Sequence, residues 1–377
     1  MIRSRRSAPP APLLPLLLAL CLVPAAWAQD SPLLTVDDEC AALAYAPDGR
    51  IAYAVRRILT TKRLEIERDD IWIVAPDGKR HRIVNGEKLV QSRAPFSYAI
   101  QSLRWAPDAK RLTVEMLTSE MIDQQGNTRE GLLTLLIDEN GKEIKIAGAD
   151  SVIPQAINAA WLADGVTLVY LEEKVKPKLL FAIYSVRPVA GRAGALFPEH
   201  LFAAAAWDAK QNIGVAIERD PNLSGPPRLV ALDLLKGTRR ELAALDGYAG
   251  GLSLSPSGTK VAYFRDYQVL EIREVNAPER VARVRVAYGS YQWAPDERRI
   301  LLKRGLAHRS GDLVWVTLPP LPSSAPQSAG AALQEAESQL QPAFHGLAFR
   351  DFELSFDGRF LAVVQPGKRN LLVYAVQ

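Results

Sequence analysis

Cysteine is nearly missing from this sequence, and histidine and methionine are scarce beside it: two Cys, four His and three Met in 377 residues. Cys21 lies in an N-terminal apolar stretch, which leaves Cys40 alone and excludes an internal disulfide in the remainder. The fold must therefore be held by a buried core, and a chain of this length with 48% hydrophobic residues can build one. Cys40 opens the apolar run CAALAYA and reads as a small buried hydrophobe rather than a reactive thiol. His81, His200, His308 and His345 share no spacing that would place two on one face, and H-E-x-x-H is absent. G-x-S-x-G is absent too; the nearest string, Gly251 to Ser255, lacks the second glycine. Asp138-Glu139-Asn140-Gly141 imitates the start of a calcium loop, but Ile144 and Ile146 stand where ligands should follow. An Asn-Gly hairpin turn accounts for it. No catalytic residue, metal ligand or cofactor site is assigned.

Long apolar runs are also lacking, with one informative exception. Arg3, Arg5 and Arg6 precede an apolar stretch from Leu13 to Val23, and Ala26-Trp27-Ala28 follows. The stretch contains Pro15 and is shorter than the ~20 residues that span a bilayer. The pattern is that of a Sec signal peptide, residues 1–28, cleaved after Ala28, which implies a periplasmic or secreted protein. Leu20 before Cys21 is not the Gly or Ala of a lipobox, which argues against lipidation. Excess charge is lacking as well. The chain carries 46 basic and 42 acidic residues, and three of the arginines leave with the signal, so 43 face 42. Nothing in that balance points to nucleic acid or an anionic membrane.

What is present in abundance is one repeated phrase: an apolar run often ending in an aromatic, a Pro-Asp-Gly-like turn, a polar or basic residue, and a second apolar run. It reads LAYAPDGRIAYAV from Leu43, LRWAPDAKRLTVEML from Leu103, AAWLADGVTLVYL from Ala159 and AAAWDAKQNIGVAI from Ala204. It continues as LSLSPSGTKVAYF from Leu252, YQWAPDERRILLK from Tyr291 and LSFDGRFLAVV from Leu354. The turns centre on Asp48, Asp108, Asp164, Asp208, Ser257, Asp296 and Asp357, spaced 39 to 61 residues apart. Pro sets the first turn angle, Asp bonds back to nearby amides and Gly accepts positive φ, while the flanks carry β-branched and aromatic strand formers. Each phrase is a hairpin of strands A and B. A third apolar run follows each hairpin, as in DIWIVA, LLTLLID and VLEIREV, and a more polar fourth strand is expected next, as in PDGKRHRIV and ENGKEIKI. The fold class expected is all-β: a β-propeller of four-stranded antiparallel blades, seven in number, with six as the alternative. The last repeat stops after strand C, so Leu33 to Val36 is expected to supply its fourth strand and close the ring.

One domain, residues 29–377, follows the signal. Within it, residues 319–342 are rich in Pro, Ser, Ala and Gln and read as a disordered insertion with a short helix over 331–340. The missing strand of blade six is then expected at 344–349. The aromatics Tyr45, Trp105, Trp161, Trp207 and Trp293 recur at one repeat position, which suits packing between blades better than ligand stacking.

The hairpin phrases, above all Ala46-Pro47-Asp48-Gly49, Trp105-Ala106-Pro107-Asp108, Ser255-Pro256-Ser257-Gly258 and Trp293-Ala294-Pro295-Asp296, resemble the WD40-like repeats of the TolB family and of the N-terminal propeller of dipeptidyl-peptidase-IV-type enzymes. The resemblance implies a propeller and carries little about function, since these residues build blades. Because strand patterns begin soon after Ala28 and run on to Gln377, neither TolB's preceding α/β domain nor the peptidases' hydrolase domain is expected in this sequence.

One charge asymmetry remains. The B–C loops of blades six, seven and one carry Lys303, Arg304, Arg309, Lys368, Arg369, Arg56, Arg57, Lys62 and Arg63, and ring closure would make them neighbours. They form a candidate basic docking sector for an acidic envelope protein or an anionic small ligand. The reading is an exported, non-catalytic propeller acting as an interaction or ligand-binding module, neither nucleic-acid-binding nor membrane-spanning. The alternatives are a hydrolase or lactonase with its site in the central channel, and a regulatory propeller for a separately encoded peptidase.

Overall fold

The computed structural model describes residues 31–376 apart from 61–64, 92–94, 124–126, 147–149, 175–179, 189–192, 223, 306–308, 324–334 and 345–346. The proposed signal segment, residues 1–28, lies outside the described residues.

Each turn phrase does form a hairpin. The Asp at its centre accepts an amide two residues on: Asp48 from Arg50 at 3.2 Å, Asp108 from Lys110 at 2.9 Å, Asp296 from Arg298 at 2.9 Å and Asp357 from Arg359 at 3.1 Å. Gly49 (φ 88°) takes the left-handed position that closes the first turn, and where glycine is missing Ala109 (φ 57°) and Glu297 (φ 54°) are held there instead.

Seven blades result, so the six-bladed alternative falls. Blade one is Cys40–Tyr45, Ile51–Val55, Asp70–Val74 and Arg80–Val84; blade two is Ser97–Trp105, Arg111–Met121, Thr128–Asp138 and Val152–Pro154. Blade three is Ala156–Trp161, Leu168–Glu173, Phe181–Val186 and Gly194–Ala195; blade four is Leu201–Asp208, Ile213–Arg219, Arg228–Asp233 and Thr238–Ala244. Blade five is Ala249–Leu254, Lys260–Arg265, Val269–Glu274 and Val281–Arg285; blade six is Gly289–Trp293, Arg299–Arg304, Leu313–Thr317 and Gln339–Pro342. Blade seven is Asp351–Leu354, Phe360–Val364 and Leu371–Ala375, completed by the N-terminal strand Leu34–Val36, with Leu34 opposite Val373 and Val36 opposite Leu371.

Successive blades are stitched together at strand A. Trp105 Nε1 donates to Ala44 O at 3.1 Å, Thr113 Oγ1 to Ala159 O at 3.0 Å and Trp207 Nε1 to Asn158 O at 2.6 Å. Tyr291 Oη donates to Gly251 O at 2.7 Å, the Leu354 amide to Gln292 Oε1 at 2.7 Å and the Cys40 amide to Arg369 O at 2.9 Å. The repeated aromatics thus serve blade packing, as expected. The core lies in the layers between blades; between the first two it holds Ile71, Ile73, Tyr98, Leu112, Val114 and Met116.

Two fourth strands differ from expectation. In blade two the residues after Gly141 make only isolated bridges, and the strand is Val152–Pro154. In blade six the strand is Gln339–Pro342, paired with Leu313–Thr317, and Ala336–Glu337 runs parallel to the last strand of blade five. The 319–342 segment is therefore not disordered to its end, and its C-terminal part is strand rather than helix. Residues 324–334 lie outside the described residues. The outermost strand of a blade faces solvent, so it needs no apolar alternation, and all four residues of Gln339–Pro342 are exposed. Phe344 and Phe349, where that strand was expected, pack instead with Tyr374 in an edge-on aromatic cluster.

Candidate functional site

The hairpin turns lie on one face of the disc, and the B–C loops and blade-to-blade links on the other. On the turn face, Leu33, Tyr45, Pro47, Pro76, Phe356 and Phe360 line a cleft of about 690 Å³ along the closing seam. The loop face carries more relief. The B–C connection of blade one folds into its own hairpin, Ile58–Thr60 against Glu65–Glu67. Blade two rises beside it, because its B and C strands run eleven residues each, in register to Met121 opposite Thr128. The two buttress each other: the Glu67 amide donates to Ser97 Oγ at 2.9 Å, and Arg68 bridges Tyr98. Ile58, Leu59, Met121 and Ile122, all half exposed or more, crown this wall. A hollow of about 300 Å³ at its foot is lined by Arg57, Ile58, Leu59, Arg68, Asp70 and Arg82.

The expected basic residues meet on this face, but few are free. Arg56 is mostly buried and pairs with Glu67 at 2.5 Å and Asp69 at 3.2 Å. Arg57 is exposed and lies 3.5 Å from Asp70, while Arg304 grips Asp312 through both carboxylate oxygens. Arg369 pairs with Glu39 at 2.8 Å. Lys303 is buried, 1% exposed; its Nζ donates to Arg309 O at 3.1 Å and to Arg350 O, tying a blade-six loop to blade seven. Burial lowers its pKa, opposed by Asp351. Arg309 and Lys368 are exposed, and Lys62 and Arg63 lie outside the described residues. The sequence pattern counted these cations and the fewer acids on the same loops, Glu67, Asp69, Asp70 and Asp312, but not that the acids pair with Arg56, Arg57 and Arg304, nor that Glu39 on the link into blade one takes Arg369. It also missed Arg350, whose pKa is lowered by burial and by the nearby guanidiniums of Arg369 and Arg56.

The channel holds a second group of charges. Arg104 of blade two is exposed to solvent yet hemmed in by protein, so desolvation lowers its pKa while Glu115 and Glu353 oppose that shift. Glu353 belongs to blade seven. Blades two and seven are not neighbours, so this coupling is made across the channel. Glu353 is pushed up to about 8 by burial, with the Tyr45 backbone and Arg104 working against it. Among the described residues no group of three His, Cys, Asp or Glu could hold a metal ion. His200, between Glu218 and Arg239, has both ring nitrogens engaged.

Many solved structures share this fold. A chain of the Mitotic Checkpoint Complex matches 92% of this chain and 94% of its own length, with 14% identity and a TM-score of 0.56. The Myceliophteria thermophila Cps50 (Swd1) beta-propeller domain matches 92% of this chain and all of its own length, with 12% identity and a TM-score of 0.53. No protein-family model and no curated protein sequence matches the chain. These likenesses establish a WD40-like propeller fold.

Proposed function

We propose that this chain is an exported, non-catalytic propeller of the TolB-like kind, which holds a protein partner of the cell envelope on its loop face. The observation that carries the reading is the wall of blades one and two. Two mutually braced hairpins present Ile58, Leu59, Met121 and Ile122 to solvent on one face of a rigid disc. Apolar side chains so exposed and so supported are what a docking surface supplies, with Arg57 beside Ile58 and Leu59 in the hollow at their foot. The charge pattern and apolar stretch of residues 1–28 support export. One structurally similar propeller belongs to a complex, the Mitotic Checkpoint Complex, which is consistent with use as a scaffold.

The test is crosslinking in intact cells with a tagged, signal-bearing copy, followed by mass spectrometry. The comparison is a variant in which Ile58, Leu59, Met121 and Ile122 become Ser. One reproducible envelope protein, lost in the variant while circular dichroism is unchanged, supports the reading. Equal capture by both proteins refutes the wall as the contact surface, and recovery of the protein in the cytoplasm refutes export.

A second reading, chemistry in the central channel, draws on Glu353 alone, whose carboxyl holds its proton near neutral pH opposite Arg104. Hydrolysis of ester or lactone substrates that is lost in Glu353→Gln would favour it.

A further inference from the structure

The B and C strands of blade five, Lys260–Arg265 and Val269–Glu274, are joined by a tight turn with an unusual backbone. Asp266 (φ 47°) and Tyr267 (φ 61°) are consecutive left-handed residues. Such a turn favours Asn or Asp followed by Gly. Asp is ordinary at the first position; a tyrosine at the second is disfavoured by about 1–2 kcal/mol. The neighbouring links hold it there. The Asp266 amide donates to Tyr248 O at 3.2 Å, the Tyr248 amide to Asp266 Oδ1 at 3.1 Å, and the Tyr288 amide to Tyr267 O at 3.0 Å.

The strained turn raises a ring into a cluster. Tyr248 and Tyr267 stack with centroids 4.2 Å apart and planes 13° apart, and Tyr288 meets Tyr267 edge-on at 5.4 Å. Tyr267 is 52% exposed and Tyr248 40%. The space is kept clear beneath them: a Cβ on Gly250 would come within 2.4 Å of the Tyr248 hydroxyl. Two exposed carboxylates lie in the same loops, Asp266 in the turn itself and Asp246 two residues before Tyr248 in the chain. Neither has a cation within ion-pair distance among the described residues.

We propose that this platform binds a guanidinium, the side chain of an arginine presented by a peptide segment. Ring faces are the negative side of an aromatic quadrupole and attract cations. A guanidinium is planar, so it can lie flat on the Tyr267 ring while its edge donates to Asp266. A lysine ammonium is compact and strongly hydrated and would gain less from both. The site stands on the loop face of blade five, half-way round the ring from the wall of blades one and two, and does not depend on it.

Titration of the full chain with the capped tripeptide acetyl-Gly-Arg-Gly-amide, followed by tyrosine fluorescence and NMR shifts, tests this. Its citrulline and lysine counterparts serve as probes alongside. Saturable binding of the arginine peptide is expected, weaker by about tenfold or more for citrulline, which keeps the shape and loses the charge. Tyr267→Gly relieves the left-handed strain, so it should unfold no earlier than the parent and yet bind arginine at least about fivefold more weakly. Tyr267→Phe should retain binding. Equal affinity for arginine and citrulline, or unchanged binding in Tyr267→Gly, overturns the proposal. Tighter binding of free L-arginine than of the peptide overturns the peptide as its occupant.

Discussion

The Arg50 guanidinium lies 5.0 Å from the centre of the Trp105 ring, one blade further on. The same relation recurs at the next seam, where Arg111 lies 5.1 Å from the ring of Trp161. In each case the basic residue stands at the start of strand B of one blade, Arg50 just before it and Arg111 as its first residue, and the indole belongs to strand A of the following blade. Arg50 also pairs with Asp48 and Glu139 and donates to Ala109 O at 2.7 Å.

Arg50→Ala therefore removes a stacked cation and a half-buried ion pair together, and should lower stability by about 1–3 kcal/mol. Arg50→Lys should restore less than half of that, because an ammonium cannot both stack and fork between two carboxylates. Urea unfolding of the two variants checks it; full rescue by lysine would mean the contact is only a charge pair.

Glu353 gives the fold a pH dependence of defined sign. Its carboxyl is at about 8 in the folded chain against an ordinary 4.5, so the folded state keeps a proton that the unfolded state releases between those values. This contribution is fully present below about pH 4.5 and is lost as the pH rises through 8. Glu353→Gln should match the parent near pH 4.5 and exceed it near pH 8.5, by on the order of 1–3 kcal/mol once channel water is allowed for. Parallel stability profiles for the two proteins would contradict this.

Cys40 is fully buried beside the closing seam, and burial drives its thiol up to about 12. An alkylating reagent at pH 8 should label the native protein at least about a hundredfold more slowly than the protein in denaturant. Because the Cys40 amide is bonded to Arg369 O of blade seven, the native labelling rate measures opening of that seam. Rapid labelling of the folded protein would show that the seam is open.

The turn chemistry was legible because it is local: Asp48 bonds to Arg50 within the same four residues. Closure by Leu34–Val36 was legible because an apolar strand and a blade short of one strand stood at opposite ends of the sequence. The last strands of blades two and six were not, since a solvent-facing strand carries no alternation to find. The candidate site was legible in charge and not in pairing. Arg56 and Arg369 are visible as cations, but Arg56 meets Asp69 only because their shared loop folds back on itself, and Arg369 meets Glu39 only because blade seven closes on blade one. The meeting of Arg104 and Glu353, or of Tyr248 and Tyr267, leaves no spacing signal, because it is made by ring geometry and by one strained turn.

The closing strand also decides how the ring would yield to force. Leu34 lies opposite Val373 and Val36 opposite Leu371, so both tails leave the pair at the same end. Tension applied through the two tails peels the hydrogen bonds one after another instead of shearing them together. The disc would therefore open like a zip at its own clasp, while the six blades made from continuous chain were still intact.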